Sequence, residues 1–364
     1  MSVTHTIFVK KYQERLGEDF MESQQMETMQ YTETDKITIA DVAEALGISK
    51  TTVSRAISGK GRIGAETRKR VMDYIAEKNY HPSVVAKGLA QSKTYNIGWV
   101  MPGQSGMTDL PFFHRCLNGI NEVASGADYD LLISMVYDND VSQLARVIRN
   151  HKVDGFILGR TLVDDPCVRL LQENDIPFVV IGSTPNENVI QIDNDHVSAC
   201  RELTSVLLMK GIQKIALIGG DSNHVVNQTR KQGFEEAIRE CRHLVRDCWI
   251  YMDSDNESTI DRLVDEIRRN GAECIVCMDD KICYHVLNKC NRDGIQIPGQ
   301  IKIASFYYSD LLKSFKPAIT ALEYDPKELG AVACKMLLDY MDGIPVKKKI
   351  FMNHQIALKG STQL

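Results

Sequence analysis

A chain of 364 residues can hold two or three domains and bury a large core. With 43% hydrophobic and 25% charged residues it has the make-up of a soluble globular protein, and no apolar run approaches the roughly 18 residues a membrane span needs. The net charge of −5 would exclude a nucleic-acid partner if it were spread evenly, but Lys36 to Thr94 holds 11 Lys or Arg against 5 Asp or Glu, and residues 1–35 hold 3 against 7. A basic segment between two acidic ones can meet phosphate at one end only.

Residues 1–35 are polar and show no core-forming pattern. Two readings stand side by side: a disordered tail, or a translation start further on, at Met26 or Met29. The opening MSVTHTIFVKKYQERL has no apolar h-region, so a cytoplasmic protein is expected.

From Ile37 the pattern changes. Thr38 with Asp41 three residues on is a capping box, and Ile39, Val42, Ala43 and Leu46 form one apolar stripe of a short helix that Gly47 ends. Ser49 is a natural N-cap for a second helix. There Lys50, Thr51, Ser54, Arg55 and Ser58 share one face, and Val53, Ala56 and Ile57 the other. A polar face with donors, cations and little bulk suits a helix entering the major groove. Ala65 to Asn79 reads as a third helix that packs through Val71, Met72 and Ile75. Together they make a helix-turn-helix.

The run ITIADVAEALGISKTTVSRAISG, then ETRKRV, then NYHPSVVAKGLAQSKTYNIG resembles the DNA-binding head and hinge of the lactose-repressor (LacI/GalR) family. The resemblance divides the chain into an extension at 1–35, a helix-turn-helix domain at 36–80, a hinge at 81–94 and a ligand-binding and dimerisation domain at 95–364. It implies that the hinge becomes helical when two subunits sit on DNA, with Leu89 wedged into the minor groove and Ala86 and Lys87 toward it. The family's head normally begins close to its own N-terminus, so residues 1–35 depart from the pattern.

Beyond the hinge, strands and helices alternate. Strands are expected at Ile97–Val100, Asp130–Ser134, Gly155–Leu158, Phe178–Ile181, Ile215–Ile218, Cys248–Tyr251, Cys274–Cys277 and Ile301–Phe306, with helices between them and a last one at Lys327–Met341. That rhythm means α/β architecture with parallel sheets covered on both faces. A single eight-unit barrel fits it too. The resemblance instead implies two lobes of the periplasmic-binding-protein kind, about 95–192 plus 325–350 and about 193–322 plus 351–364. Ten cysteines are scattered without a framework, and Cys274 and Cys277 sit in what reads as a buried strand, so free thiols and no metal are expected.

Ligands of such folds sit at the carboxyl ends of strands. By resemblance Phe112 and Phe113 supply an aromatic wall, Asp193-Asn194 matches the family's Asp-Asn at the first crossover, and Arg230 in NQTRKQGF is the hook whose rigid fork can hold hydroxyls or carboxylate. Two departures follow. Met278-Asp279 stands where the family has Asn-Asp, leaving Asp279 as the polar group. Tyr307 and Tyr308 stand where it often has Asp, so Tyr307 would stack and donate one hydrogen bond.

No G-x-G-x-x-G, P-loop, G-x-S-x-G or H-E-x-x-H occurs, so neither an enzyme nor a cofactor is expected. The expectation is a homodimeric regulator, most often a repressor, on a palindromic double-stranded DNA operator, with a small-molecule effector, a sugar first of all. Lys50, Thr51 and Arg55 would reach bases, and Thr38, Thr52, Ser54 and Arg68 would hold phosphates. Gly64 stands where the family commonly has Ser, which removes one such hydrogen bond. The alternative is a cytoplasmic ligand-sensing module whose head contacts a protein, which would show little of the salt dependence that DNA binding requires.

Overall fold

The computed structural model describes residues 37–58, 61–78, 80, 88, 91–103, 110–137 and 139–363. The expectations for 1–35 and for Ala86, Lys87 and Leu89 lie outside these residues. The chain divides into two compact units, Met1–Ala86 and Lys87–Leu364.

In the first unit three helices follow one another: α1 (Ile39–Leu46), α2 (Lys50–Ser58) and α3 (Ala65–Glu77). Thr38 caps α1 reciprocally with Asp41, whose carboxylate accepts from the Thr38 amide at 2.7 Å. Gly47 ends α1 at φ +66°, and the Ile48 amide reaches back to the Ala43 carbonyl at 3.0 Å. This is the Schellman turn, which needs a residue at ease in the left-handed region. The Ser49 hydroxyl then accepts from the Thr52 amide at 3.1 Å and opens α2. Val42, Ala43, Val53, Ala56, Val71 and Tyr80 are buried together, so each helix contributes apolar residues to one small core; Met72, expected to pack there, is instead exposed on α3. The Arg70 guanidinium donates to the Leu46 carbonyl at 3.3 Å and ties α3 to the end of α1.

The second unit holds two six-stranded sheets. Their strands are β1 (Asn96–Pro102), β2 (Asp130–Val136), β3 (Gly155–Leu158), β4 (Phe178–Ile181), β5 (Ile190–Asn194), β6 (Lys214–Ile218), β7 (Asp247–Tyr251), β8 (Cys274–Cys277), β9 (Lys302–Ser305), β10 (Thr320–Glu323), β11 (Lys349–Met352) and β12 (Gln355–Ala357). One sheet runs β11-β5-β4-β3-β1-β2 and is parallel throughout. The other runs β12-β10-β9-β8-β6-β7 and is parallel except for the β10–β12 pair. The backbone passes between the sheets three times, after β5, after β10 and after β11. Two separate sheets rule out the eight-unit barrel. All eight strands expected from the sequence form; β5, β10, β11 and β12 are additional.

The helices are α4 (Leu110–Gly126), α5 (Ser142–Arg149), α6 (Pro166–Glu173), α7 (His196–Met209), α8 (Val225–Glu240), α9 (Glu257–Arg269), α10 (Asp280–Arg292) and α11 (Pro326–Met341). On the first sheet α4 and α11 bury one face, with Trp99, Ile120 and Leu337, while α5 and α6 bury the other, with Leu144, Phe156 and Leu171. Buried on both sides, the strands read as continuous apolar runs. On the second sheet one large cluster joins α7 to α10 with β6, β8 and β9. Cys274 and Cys277 are buried in β8, and burial lifts the Cys274 thiol to about 12.

Two glycines stand where a helix crossing is too close for a side chain. A Cβ at Gly119 would stand 1.9 Å from the Lys327 carbonyl oxygen, and one at Gly330 would stand 2.2 Å from that of Cys116, so α4 and α11 touch backbone to backbone. Gly119→Ala should therefore lower the unfolding midpoint of the full chain by the equivalent of about 1–3 kcal/mol of overpacking. Gly126→Ala, with nothing within 4 Å of the new Cβ, should leave it nearly unchanged. Equal midpoints in the two variants, read by circular dichroism, would contradict this packing.

Candidate functional site

Two surfaces collect the residues singled out above. On the first unit, Lys50, Thr51, Ser54 and Arg55 are exposed along α2, opposite buried Val53 and Ala56. Thr38 and Arg68 are also exposed. Thr52 is half-buried, with its hydroxyl 2.9 Å from that of Ser49. Thr38 and Thr52 thus serve as helix-cap partners in the free protein. Gly64 precedes α3 as its N-cap without a side-chain hydrogen bond.

The second surface is a cavity of about 360 Å³ between the two sheets. It lies at the carboxyl ends of the strands, where a parallel sheet leaves loops and helix N-termini free to meet a ligand. Phe112, Phe113, Asn194, Arg230, Asp279 and Tyr307, the six residues picked out from the sequence, all line it.

Its aromatic side is a chain of rings. Phe112 meets Phe113 edge-on at 5.3 Å and Tyr307, from the other sheet, edge-on at 6.0 Å. Tyr307 stacks on Tyr324 at 6.2 Å, and the Arg230 guanidinium lies 5.9 Å from the Tyr307 ring. Arg230 is 8% exposed and donates from Nη1 to the Met278 carbonyl at 3.0 Å. Burial pushes the Tyr307 phenol well above its ordinary value, so it stays a neutral donor.

The floor is the first crossover. His196 Nε2 lies 3.3 Å from Asp193 Oδ1, and both side chains are buried. Ser183 Oγ donates to Asp193 Oδ2 at 2.9 Å, and the Asn194 amide to Oδ1 at 2.8 Å. Burial works against the Asp193 charge, but His196, Ser183 and Asn194 outweigh it and hold its pKa below the ordinary value. Burial lowers that of His196, helped by Arg230 and opposed by Asp193. At neutral pH the carboxylate is ionised and the neutral imidazole donates to it from Nε2. Asn194 Oδ1, His196 Nδ1 and Arg230 Nε are buried without a hydrogen-bond partner among the described residues.

Asp279 differs from its expected part. Its carboxylate accepts from the Ile282 amide at 2.8 Å and caps α10, so one of its oxygens is already committed. Among the lining residues that sequence reasoning did not single out are Arg160, His196, Asp221 and His224. The available signal was position, since Arg160 closely follows β3 and His196 and His224 stand at the starts of α7 and α8. Among the described residues no group of three or more His, Cys, Asp or Glu could hold a metal ion, and no helix is long and apolar enough to cross a membrane.

Residues 94–341 match the model for periplasmic binding proteins and the sugar-binding domain of the LacI family, and residues 38–83 match that for bacterial regulatory proteins of the lacI family. The chain belongs to the LacI family. Among curated LacI-family relatives, the HTH-type transcriptional regulator MalR of Streptococcus pneumoniae is 30% identical over 332 residues, 89% of this chain and 98% of its own. Catabolite control protein A of Staphylococcus aureus is 26% identical over 333 residues, 90% of this chain and 99% of its own. The solved lac repressor dimer, bound to operator and the anti-inducer ONPF, superposes with a TM-score of 0.74 over 91% of this chain and 100% of its own. At 20% identity that is a likeness of fold. This LacI-family chain is a DNA-binding transcriptional regulator, as its relatives are, and not an enzyme.

Low-lying histidine pKa values give the cleft a pH signature. The unfolded chain takes up protons at its ordinary histidine value of about 6.5, before the folded His196 and His224 do, so their contribution is fully present above that pH and is lost as pH falls below it. His196→Gln should shrink the drop in unfolding midpoint between about pH 7.5 and 5.5. An undiminished drop in calorimetry would show that His196 is not held neutral.

Proposed function

We propose that the protein is a homodimeric repressor whose paired heads read a palindromic double-stranded DNA operator, and whose affinity is set by a small molecule, a sugar, in the cleft between the sheets. In this reading 36–80 is the DNA reader, 81–94 the hinge and 95–364 the ligand-binding and dimerising body, in two lobes of about 95–192 plus 325–350 and about 193–322 plus 351–364. Such a regulator works in the cytoplasm, beside the DNA it controls. The observation that carries the DNA half is α2: four exposed polar side chains, two of them cations, on a helix whose opposite face is wholly apolar. Lys50, Thr51 and Arg55 read bases in this scheme, and Thr38, Thr52, Ser54 and Arg68 hold phosphates, with Ala86, Lys87 and Leu89 at the minor groove.

A single head of three short helices makes too few contacts to bind tightly, so two are needed about one helical turn apart. The first lobe offers a face for that pairing. Ile133, Met135 and Tyr137 alternate along and just past the edge strand β2, with 51%, 37% and 46% of their surface exposed. A dimer bound to operator is what one solved structure of the same fold contains.

The sugar reading rests on the mixture in the cleft. Flat rings suit the apolar face of a pyranose, and Arg230 and Asn194 suit its hydroxyls. Buried polar atoms without a protein partner mark a binding site more than a packed core.

Selection from random duplexes should return a sequence with two-fold symmetry. Arg55→Ala should then weaken operator binding by about 1–3 kcal/mol in a gel shift and relax preference at one step of each half-site; unchanged affinity and selectivity would remove Arg55 from the reading set. A thermal-shift panel of neutral mono- and disaccharides should find a stabilising sugar, and Arg230→Ala should abolish that shift while the far-ultraviolet circular dichroism stays the same. A stabilising sugar that works equally well on the Arg230→Ala variant would take the ligand out of this cleft.

A further inference from the structure

The two lobes also meet directly, along one wall of the cavity. Just past β3, Thr161–Val163 run antiparallel to Asn223–Val225 at the start of α8, with a β-bridge between Leu162 and His224. The Val163 amide donates to the Asn223 carbonyl at 3.0 Å, and the Val225 amide to that of Thr161 at 3.2 Å. Next to this pairing Arg160 Nη1, from the first lobe, stands 3.4 Å from His224 Nε2, in the second. The same Nε2 is 3.7 Å from Asp221 Oδ2, in its own lobe.

We propose that Arg160, His224 and Asp221 form a proton-operated catch on the cleft: neutral His224 accepts from Arg160 of the opposite lobe and helps hold the cleft closed, and protonated His224 turns to Asp221 of its own lobe and lets go.

The chemistry follows from what each group can do. A guanidinium carries five donors and no acceptor, so its contact with Nε2 exists only when that nitrogen offers a lone pair. The imidazole must then be neutral, with its proton on Nδ1. Protonation makes Nε2 a donor, which leaves it facing another donor and another positive charge at 3.4 Å. Asp221 Oδ2, 3.7 Å away, is an acceptor within reach, and moving toward it exchanges a contact between lobes for one within a lobe.

The charged groups that face the ring are Asp221 in its own turn, Arg160 and Asp165 from the first lobe, and Asp279 ahead of α10. Burial lowers the His224 pKa most, and Arg160 lowers it further; the three carboxylates pull it up by less. The ring is therefore neutral at neutral pH and takes its proton only below the ordinary histidine value of about 6.5. Below its own pKa the closed cleft loses the Arg160 contact. Closure itself is what the proton changes, with neither ligand nor operator taking part.

Hydrogen exchange on the full-length protein tests it, with rates at about pH 7.0 and 5.5 each divided by the intrinsic rate at that pH. The amides of Val163 and Val225 report the junction, and those of Ile157 in β3 and Ala216 in β6 report that both sheets stay folded. In the wild type the two junction amides should lose about tenfold in protection at the lower pH, while the two core amides keep theirs. His224→Gln cannot take up a proton and should remove the pH dependence, whatever its level of protection. His224→Lys carries a fixed charge and should leave the junction unprotected at both pH values. Wild-type protection that ignores pH, a pH dependence that survives in the Gln variant, or a Lys variant as protected as the wild type at neutral pH would each overturn the catch.

Discussion

The backbone passes between two parallel sheets three times, and the body of the protein follows from that constraint. Each pass leaves one sheet at the carboxyl end of a strand, after Asn194, after Glu323 and after Met352. Loops and helix N-termini of both sheets then gather around one cavity. The first pass matters most chemically, because it carries a buried carboxylate. Asp193 is stabilised by the Ser183 hydroxyl, the Asn194 amide and His196. A buried ion that lost one of these would cost several kcal/mol, so the crossover is held in one conformation. It can act as a fixed pivot while the far edges of the lobes move.

Closeness of the helices serves the same end. Gly119 and Gly330 let α4 and α11 meet at their backbones, and Gly233 lets α8 meet α7, where a Cβ would stand 2.3 Å from the Val197 carbonyl oxygen. In each lobe one helix of the crossing pair also supplies cleft residues: Phe112 and Phe113 from α4, and Asn227 and Arg230 from α8. Because those helices cannot slide without backbone collision, the rings and the guanidinium are carried as rigid parts of their lobes. The RKQGF segment illustrates this double duty. Arg230 faces the cleft while Gly233 makes the crossing and Phe234 is fully buried. Sequence reasoning valued the segment for its arginine alone.

How much of this the sequence shows depends on whether the signal is local. β3 and β4 are unbroken buried runs of four, GFIL and FVVI, and could hardly be anything else. α5 and α9 repeat their apolar residues at helical spacing and bury them against the sheets. The four strands that went unseen are three to five residues long. KIFM in β11 and QIA in β12 are partly exposed and hold their places by pairing with distant strands, which no local pattern records. The head is legible almost residue by residue because its caps are local: Thr38 with Asp41, Gly47 with Ile48, Ser49 with Thr52. In the cleft, residues within a motif were legible. Arg160, His196 and His224 were not, because their roles come from which loop faces which across the gap.

The energies on the two sides of the cleft are of one size. Across it run two backbone hydrogen bonds, the Arg160–His224 contact, the edge contact of Phe112 with Tyr307, and an exposed pair of Arg115 with Asp310 at 2.9 Å. The exposed pair is screened and worth little. A hydrogen bond from a charged donor adds about 1.5–3 kcal/mol, and a neutral one about 0.5–1.5 kcal/mol. Opposed to them is the cost of drying polar side chains such as Asn194 and Arg230 as the lobes approach. A closure held by so few contacts can be shifted by an event worth a few kcal/mol, which is the scale of a coupling free energy between two sites. A lobe interface as apolar as the cores beneath each sheet would stay shut whatever bound there. The polar composition of the cleft thus leaves the closure of the two lobes responsive to a free-energy change of a few kcal/mol.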